Sequence, residues 1–363
     1  MRYDYLIVGS GLFGSTFANL ANADNKRCLI IEKREHPFGN CYTKKQHEID
    51  VHQYGPHIFH TNSNKIWKYV NQFSEFNSYI NSPKVNYGDT LYSFPINLMT
   101  LQQLWGVNTP KEASDKLEKE KLNITKPTNL EEWILSQVGE EIYYTFIYGY
   151  TKKQWGTEPK NLPTFIIRRL PIRLNFNDNY YFDKYQGIPE NGYSSMMSNM
   201  IEKTEVVLNT DYFAKRDYWD SLAKKIVYTG AIDDFFNQKY GTLDYRSLKF
   251  QHEVLTDTLD YQGNAIINYT DYDVPYTRII EHKHFNFGKQ KDTVITKEYP
   301  QDFNKKTEKY YPINNKVNND LYDKYKNETK NLSSKYLFGG RLAEYKYYDM
   351  HQIIGSAMSK YET

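Results

Sequence analysis

The chain has 363 residues, enough polypeptide for two or three domains, and 39% of them are hydrophobic. Lysine and arginine total 46 against 44 acids, and a formal charge of +2 excludes a nucleic-acid binder that works through a broad basic surface. Two cysteines, Cys28 and Cys41, exclude a disulfide framework and fit a reducing compartment.

From the N-terminus, Met1-Arg2-Tyr3-Asp4-Tyr5 leads straight into an apolar run without a leader pattern. No apolar run approaches the roughly 20 residues that span a bilayer, so a soluble cytoplasmic protein without membrane insertion is expected. Tyr5 to Val8 predicts a strand, Gly9-Ser10-Gly11-Leu12-Phe13-Gly14 a glycine turn, and Ser15 to Ala23 a helix. Cys28 to Ile31 predicts a second strand ending at Glu32. Strand, turn, helix, strand and acid within about 30 residues form a dinucleotide fingerprint. In it, Gly9 permits the tight turn, Gly11 lets a pyrophosphate approach the backbone, and Gly14 lets helix and strand pack. Glu32 is placed to accept both ribose hydroxyls.

Further along, residues Ile66 to Phe76 predict a helix, and Asn81 to Pro95 predict extended structure around a Tyr87-Gly88-Asp89 turn. Leu98 to Tyr148 reads as a helical insertion, with a capping signal at Thr128-Asn129. Strands are expected at Val206–Leu208, Ile226–Gly230, Ala265–Tyr269, Thr293–Thr296 and Tyr336–Gly340. Lys316 to Lys330 reads as a polar helix or linker, and Met350 to Tyr361 as a last helix. Aromatics reach 16%, with 35 tyrosines; most reflect composition, and some are expected to line a cleft.

Lys33-Arg34 and Phe38-Gly39-Asn40 follow the acid as in flavoproteins of the glutathione-reductase-like class. Phe338-Gly339-Gly340-Arg341 and the final helix resemble that class's second cofactor contact. This favours FAD over NAD. Four more segments, 55–61, 149–156, 274–281 and 340–350, together with 168–173 and 179–182, resemble UDP-galactopyranose mutase, and the resemblance runs in order along essentially the whole chain. It implies an α/β fold with a Rossmann-like FAD-binding domain (1–77, 188–240, 332–363), a helical domain (96–165) and an antiparallel sheet domain (78–95, 166–187, 241–331). It also implies a homodimer. Two departures stand out: Phe38 occupies the place of a family glycine, and Tyr181 that of a phenylalanine.

The reaction that the resemblance implies contracts the sugar ring of UDP-galactose from pyranose to furanose. It breaks C1–O5, makes C1–O4, and lets UDP leave and return. A covalent adduct of C1 with N5 of reduced FAD is the implied route, so a reductant such as NAD(P)H is required. By residue, the resemblance assigns the diphosphate to Arg169 and Arg278, whose guanidinium forks suit phosphate oxygens. A surface loop carrying Arg169 is expected to swing in on substrate. His60 and Asp349 complete the catalytic set. Cofactor contacts fall to Gly9, Gly11, Phe13, Gly14, Glu32, Lys33, Gly39, Asn40, His57, Gly340, Arg341 and Met350. Substrate contacts fall to Asn81, Phe146, Tyr150, Thr151, Trp155, Tyr180, Tyr181, Tyr311 and Tyr347. Arg168 and Arg173 are read as surface or structural. No metal is expected, because His57 and His60 have no third ligand nearby in the sequence. The rival readings are an amine-oxidase-like flavin oxidoreductase, which lacks a second glycine fingerprint here, a non-catalytic FAD-binding protein, and a mutase acting on UDP-N-acetylgalactosamine.

Overall fold

The computed structural model describes residues 2–164, 172–304 and 306–363. Its first layer is a five-stranded sheet of strands Tyr3–Val8, Cys28–Ile31, Glu205–Val207, Ala223–Tyr228 and Tyr336–Phe338. All four pairings are parallel, and Tyr3–Val8 lies between Cys28–Ile31 and Ala223–Tyr228. Parallel strands are covered on both faces, which explains the continuous apolar runs at Cys28–Ile31 and Ile226–Tyr228. Helices Leu12–Ala23, Gly192–Met200 and Met350–Glu362 cover one face, where Phe17, Ala18 and Ile354 are fully buried.

The second layer is a seven-stranded, mainly antiparallel sheet. Its strands run in the order Tyr311–Pro312, Tyr245–Leu255, Thr293–Asp302, Arg278–Glu281, Ile266–Tyr269, Lys84–Tyr87 and Thr90–Ser93. Between its last hairpin and residue 162 lies the helical unit, with helices Leu98–Trp105, Pro110–Glu120, Leu130–Ile142 and Gly149–Trp155 around an apolar cluster of their own. Asn97, Thr109 and Asn129 cap the first three through side-chain oxygens, the job these residue types do at helix starts.

Some expectations need correction. The helix expected over 66–76 is Asn64–Val70. Beyond it the chain turns to pair with residues 188–190, through Asn77 N to Ile188 O at 3.0 Å and a bridge between Phe76 and Pro189. Lys316–Lys330 is a helix, started by Asn315. Tyr245–Leu255, one of the longest strands, was not foreseen. Among the described residues no helix is long and apolar enough to cross a membrane.

Candidate active site

A cavity of about 1630 Å³ runs from the glycine turn to the antiparallel sheet and the end of the helical unit. A pocket for one drug-sized ligand occupies roughly 300–1,000 Å³, so this one has room for two.

At its first end, Gly9 has φ +102°, and a Cβ there would lie 2.3 Å from Thr229 Oγ1. A Cβ on Gly14 would lie 2.2 Å from the Gly9 carbonyl oxygen. Gly11 differs, because a Cβ there would meet nothing within 4 Å. It borders the cavity at the start of helix Leu12–Ala23, which has no side-chain cap on its first amides. Such a helix start is a cradle for a phosphate. Glu32 is more occupied than expected. Its Oε2 accepts from Ser10 N at 3.0 Å and Ser10 Oγ at 2.8 Å, and its Oε1 from Arg34 N at 3.1 Å. It therefore organises the turn, with carboxylate lone pairs to spare for a ribose. Phe38 takes the left-handed conformation that a glycine would favour, with φ +77°. Its N–H donates to Ser10 Oγ at 2.9 Å and its ring is buried, so the turn accommodates a phenylalanine in this conformation. Asn40 accepts from both Arg34 terminal nitrogens at 3.1 Å, while Lys33 is an exposed partner of Glu308. A Cβ on Gly339 would fall 2.0 Å from Phe13 Cζ, so the C-terminal glycine turn lies against the fingerprint helix.

At the other end, a π-helical turn, Tyr143–Tyr148, precedes helix Gly149–Trp155. The pair sets Phe146, Tyr150, Thr151 and Trp155 on the cavity wall. Arg278 opens strand Arg278–Glu281 opposite Glu298 in register. Its Nε lies 3.2 Å from Glu298 Oε1, and its Nη2 donates to the Tyr150 hydroxyl at 2.5 Å. Burial would discharge the guanidinium, but the Glu298 carboxylate beside it holds it firmly charged. Burial also pushes the Tyr150 phenol up to about 12, against the pull of Arg278. Tyr311 and Tyr347 face each other at 5.6 Å, and Arg341 lies over both rings. Burial raises the pKa of both phenols and keeps them neutral hydrogen-bond donors.

Between the two ends stand the histidines. His57 Nδ1 donates to the Gly55 carbonyl at 2.9 Å, which leaves Nε2 as the ring's acceptor. Burial pushes His57 down to about 4, so the ring is neutral. His60 stacks on Tyr181 at 3.7 Å, and its Nδ1 lies 2.5 Å from Asp183 Oδ2.

Every site residue named from the sequence borders this cavity, with one exception. Arg169, like Arg168, lies outside the described residues. Arg173 is buried and structural: its Nη1 donates to the Asn177 and Asn179 carbonyls. The linear sequence missed Ser10, Glu298, Gln154, Asp183 and His351. Gln154 was within reach, since it sits inside the Trp155 segment and borders the cavity with a buried, unpartnered Oε1. Glu298 becomes visible only through strand register.

Comparison with known proteins gives two family matches. Residues 145–347 match the model for UDP-galactopyranose mutase, and residues 7–73 that for an NAD(P)-binding Rossmann-like domain. The chain is 39% identical to a dTDP-fucopyranose mutase of Escherichia coli, over 97% of this chain and 96% of that one. It is 38% identical to a Klebsiella pneumoniae protein named "Probable UDP-galactopyranose mutase", over 97% and 92%. Its fold superposes on a crystal structure of reduced UDP-galactopyranose mutase with a TM-score of 0.76 and 15% identity, covering 99% of this chain and 93% of that one.

Proposed function

The chain belongs to the UDP-galactopyranose mutase family, and from that premise we propose that it interconverts UDP-galactopyranose and UDP-galactofuranose with FAD bound in the same cavity. One observation carries the reading. A single cavity joins a phosphate cradle at Gly11 to a buried, charged arginine among tyrosines, with volume for a dinucleotide and a nucleotide sugar together.

The cradle fits the cofactor, because Gly11 leaves open space where a pyrophosphate would sit, while Gly9 and Gly14 let the turn and helix pack closely enough to form it. Glu32 would hold the adenosine ribose, and Gly340, Arg341 and Met350 would border the flavin. Reduced FAD, when bound, would supply the electron-rich centre that displacement of the diphosphate at the anomeric carbon requires. The chain's own residues do the rest. Phe146, Tyr150, Thr151 and Trp155 would bind uridine by stacking and hydrogen bonds. Arg278, with Arg169 as the second cation, would neutralise the diphosphate as it leaves and hold it for return. Tyr180, Tyr311 and Tyr347 would donate to its oxygens as neutral phenols. His60, Asp349 and Asn81 would position the sugar. By family membership a reductant such as NAD(P)H and a homodimer are expected. A cytoplasmic setting agrees with two free, buried cysteines.

The test is incubation of the FAD-loaded, dithionite-reduced protein with UDP-galactofuranose, followed by chromatography of the sugar nucleotides. Conversion to the pyranose is expected. A folded, yellow, reduced protein that leaves the furanose untouched would overturn the reading. A second substrate, dTDP-fucopyranose, is favoured by the Escherichia coli relative, whose identity is as high as that of the Klebsiella protein. Running both nucleotide sugars in competition gives the ratio of kcat/KM values that decides between them.

A further inference from the structure

We propose that His60, Asp349 and His351 form a binding site for a divalent transition-metal ion of the zinc class, two of whose residues, His60 and Asp349, border the cavity. One ligand atom from each residue lies within 4.8 Å of the other two. In a tetrahedral zinc site with bonds of about 2.0–2.2 Å, neighbouring ligands stand roughly 3.3 Å apart, so the three groups would draw together around a bound ion.

The hydrogen bonds around the two imidazoles make the case. His60 Nδ1 is engaged by Asp183 Oδ2 at 2.5 Å, so Nε2 is the ring nitrogen available to a ligand. The backbone of His60 hydrogen-bonds the His351 ring, and His351 Nδ1 is buried without a partner. Each ring therefore engages one nitrogen with a carboxylate or backbone group and leaves the other free of a protein partner. That is how metal-ligating histidines are held. The two rings stand edge to face at 5.0 Å. Asp349 adds the carboxylate from the start of helix Met350–Glu362. Two imidazoles and one carboxylate suit zinc, cobalt or nickel rather than calcium or magnesium. Three protein ligands leave a fourth position open.

A second cluster, Asp260, Glu281 and His284, has the right residue types but is already closed on itself. Glu281 accepts from Tyr261 N, Gln262 N and Thr293 Oγ1, and His284 pairs with both carboxylates.

A bound ion would take the His60 lone pair and the Asp349 carboxylate out of use, so it would switch turnover off. That consequence rests on the proposed function; the binding does not. The test is calorimetric titration of zinc chloride into chelator-stripped, oxidised, FAD-loaded protein, with anomalous scattering at the zinc edge in crystals. One ion per chain between these three residues is expected. Asp183→Asn should weaken binding about 10–100-fold, as loss of an outer carboxylate does. His351→Ala should weaken it more, and His284→Ala should leave it unchanged. The flavin spectrum reports that each variant is folded. In turnover assays zinc should inhibit the wild type, a chelator should reverse it, and whatever activity His351→Ala retains should resist zinc. The site is refuted by absence of binding, by equal affinity in His351→Ala, or by loss of binding in His284→Ala. Binding without inhibition refutes the switch alone.

Discussion

Arg278 shows how much one residue depends on partners the sequence does not place beside it. Its charge is kept by Glu298, which is 2% exposed, and its direction by the Tyr150 hydroxyl. Truncation to alanine would strand a buried carboxylate, a cost of about 3–5 kcal/mol that would confuse a loss of function with a loss of fold. Arg278→Lys is the cleaner test, since it keeps the charge and removes the fork. We expect that variant to stay folded and yellow while kcat/KM falls at least about tenfold, the value of one charge-assisted phosphate contact. Near-normal kinetics would remove Arg278 from diphosphate binding. The buried histidines give a prediction about pH. Burial lowers His52 to about 3 and His57 to about 4, and lowers His282 as well, all from an ordinary 6.5. The unfolded chain therefore takes up protons below pH 6.5 that the folded chain refuses. Stability is full above that pH and declines as pH falls towards 4, by up to about 1.4 kcal/mol per pH unit for each such histidine. Thermal unfolding between pH 7 and 5 should show the decline, and His52→Phe should make it shallower by one histidine's share. An unchanged slope in that variant would mean the ring is not held neutral.

At the scale of elements, the wall formed by helix Gly149–Trp155 is clamped from two sides. The Lys153 ammonium donates to the carbonyls of Tyr269, Asp271, Val274 and Tyr276 at 2.7–3.0 Å, which ties the helix to the turn leading into Arg278. Arg246 donates to the carbonyls of Gln154 at 2.9 Å and Lys153 at 3.3 Å at the same, C-terminal end of the helix. The aromatic residues that would hold uridine and the arginine that would hold diphosphate are thus one rigid assembly. Lys153→Met leaves buried carbonyls unpaired, at about 1–3 kcal/mol for each that water does not reach. We expect a large rise in KM for the nucleotide sugar with FAD binding unchanged, because the cradle lies elsewhere, and Lys153→Arg should restore part of it. A KM at the wild-type value would show that the clamp does not position the site. The same elements mark what the sequence could and could not say. The parallel strands were legible because burial on both faces gives them continuous apolar runs, as at Cys28–Ile31 and Ile226–Tyr228. Strand Tyr245–Leu255 was not, because its second half from Lys249 onward is largely exposed and carries no hydrophobic period. Arg278–Glu281 drew attention as a motif, and its strand character came only with its neighbours. His351 and Asp183 meet at His60 across a large sequence separation, which no local pattern reveals.

Across the whole molecule, the cavity is the seam between the parallel sheet, the antiparallel sheet and the helical unit, and residues of all three border it. A seam of about 1630 Å³ brings little apolar contact of its own, so the ligand that fills it should add to the stability of the fold. Binding to the folded state alone contributes about 2.7 kcal/mol when free ligand is at 100 times its Kd. Removing FAD should therefore lower the unfolding temperature, and adding it back should restore it in a concentration-dependent way. Gly11 separates this effect from any general damage. Its φ of −61° suits an ordinary residue, and a Cβ there meets no protein atom within 4 Å. Gly11→Val should then leave the apoprotein as stable as the wild-type apoprotein, within about 0.5 kcal/mol as for a substitution that disturbs no contact. The same branched side chain would stand where the pyrophosphate must approach the helix start. FAD should consequently fail to raise the unfolding temperature of Gly11→Val, and the purified variant should be colourless. Gly14→Val makes the opposite control, because its Cβ would lie 2.2 Å from the Gly9 carbonyl oxygen and should unfold the apoprotein itself. If Gly11→Val is yellow and gains the same stability from FAD as the wild type, the cofactor's phosphates do not sit in this cradle. The division of the cavity into a dinucleotide end and a sugar-nucleotide end would then have to be redrawn.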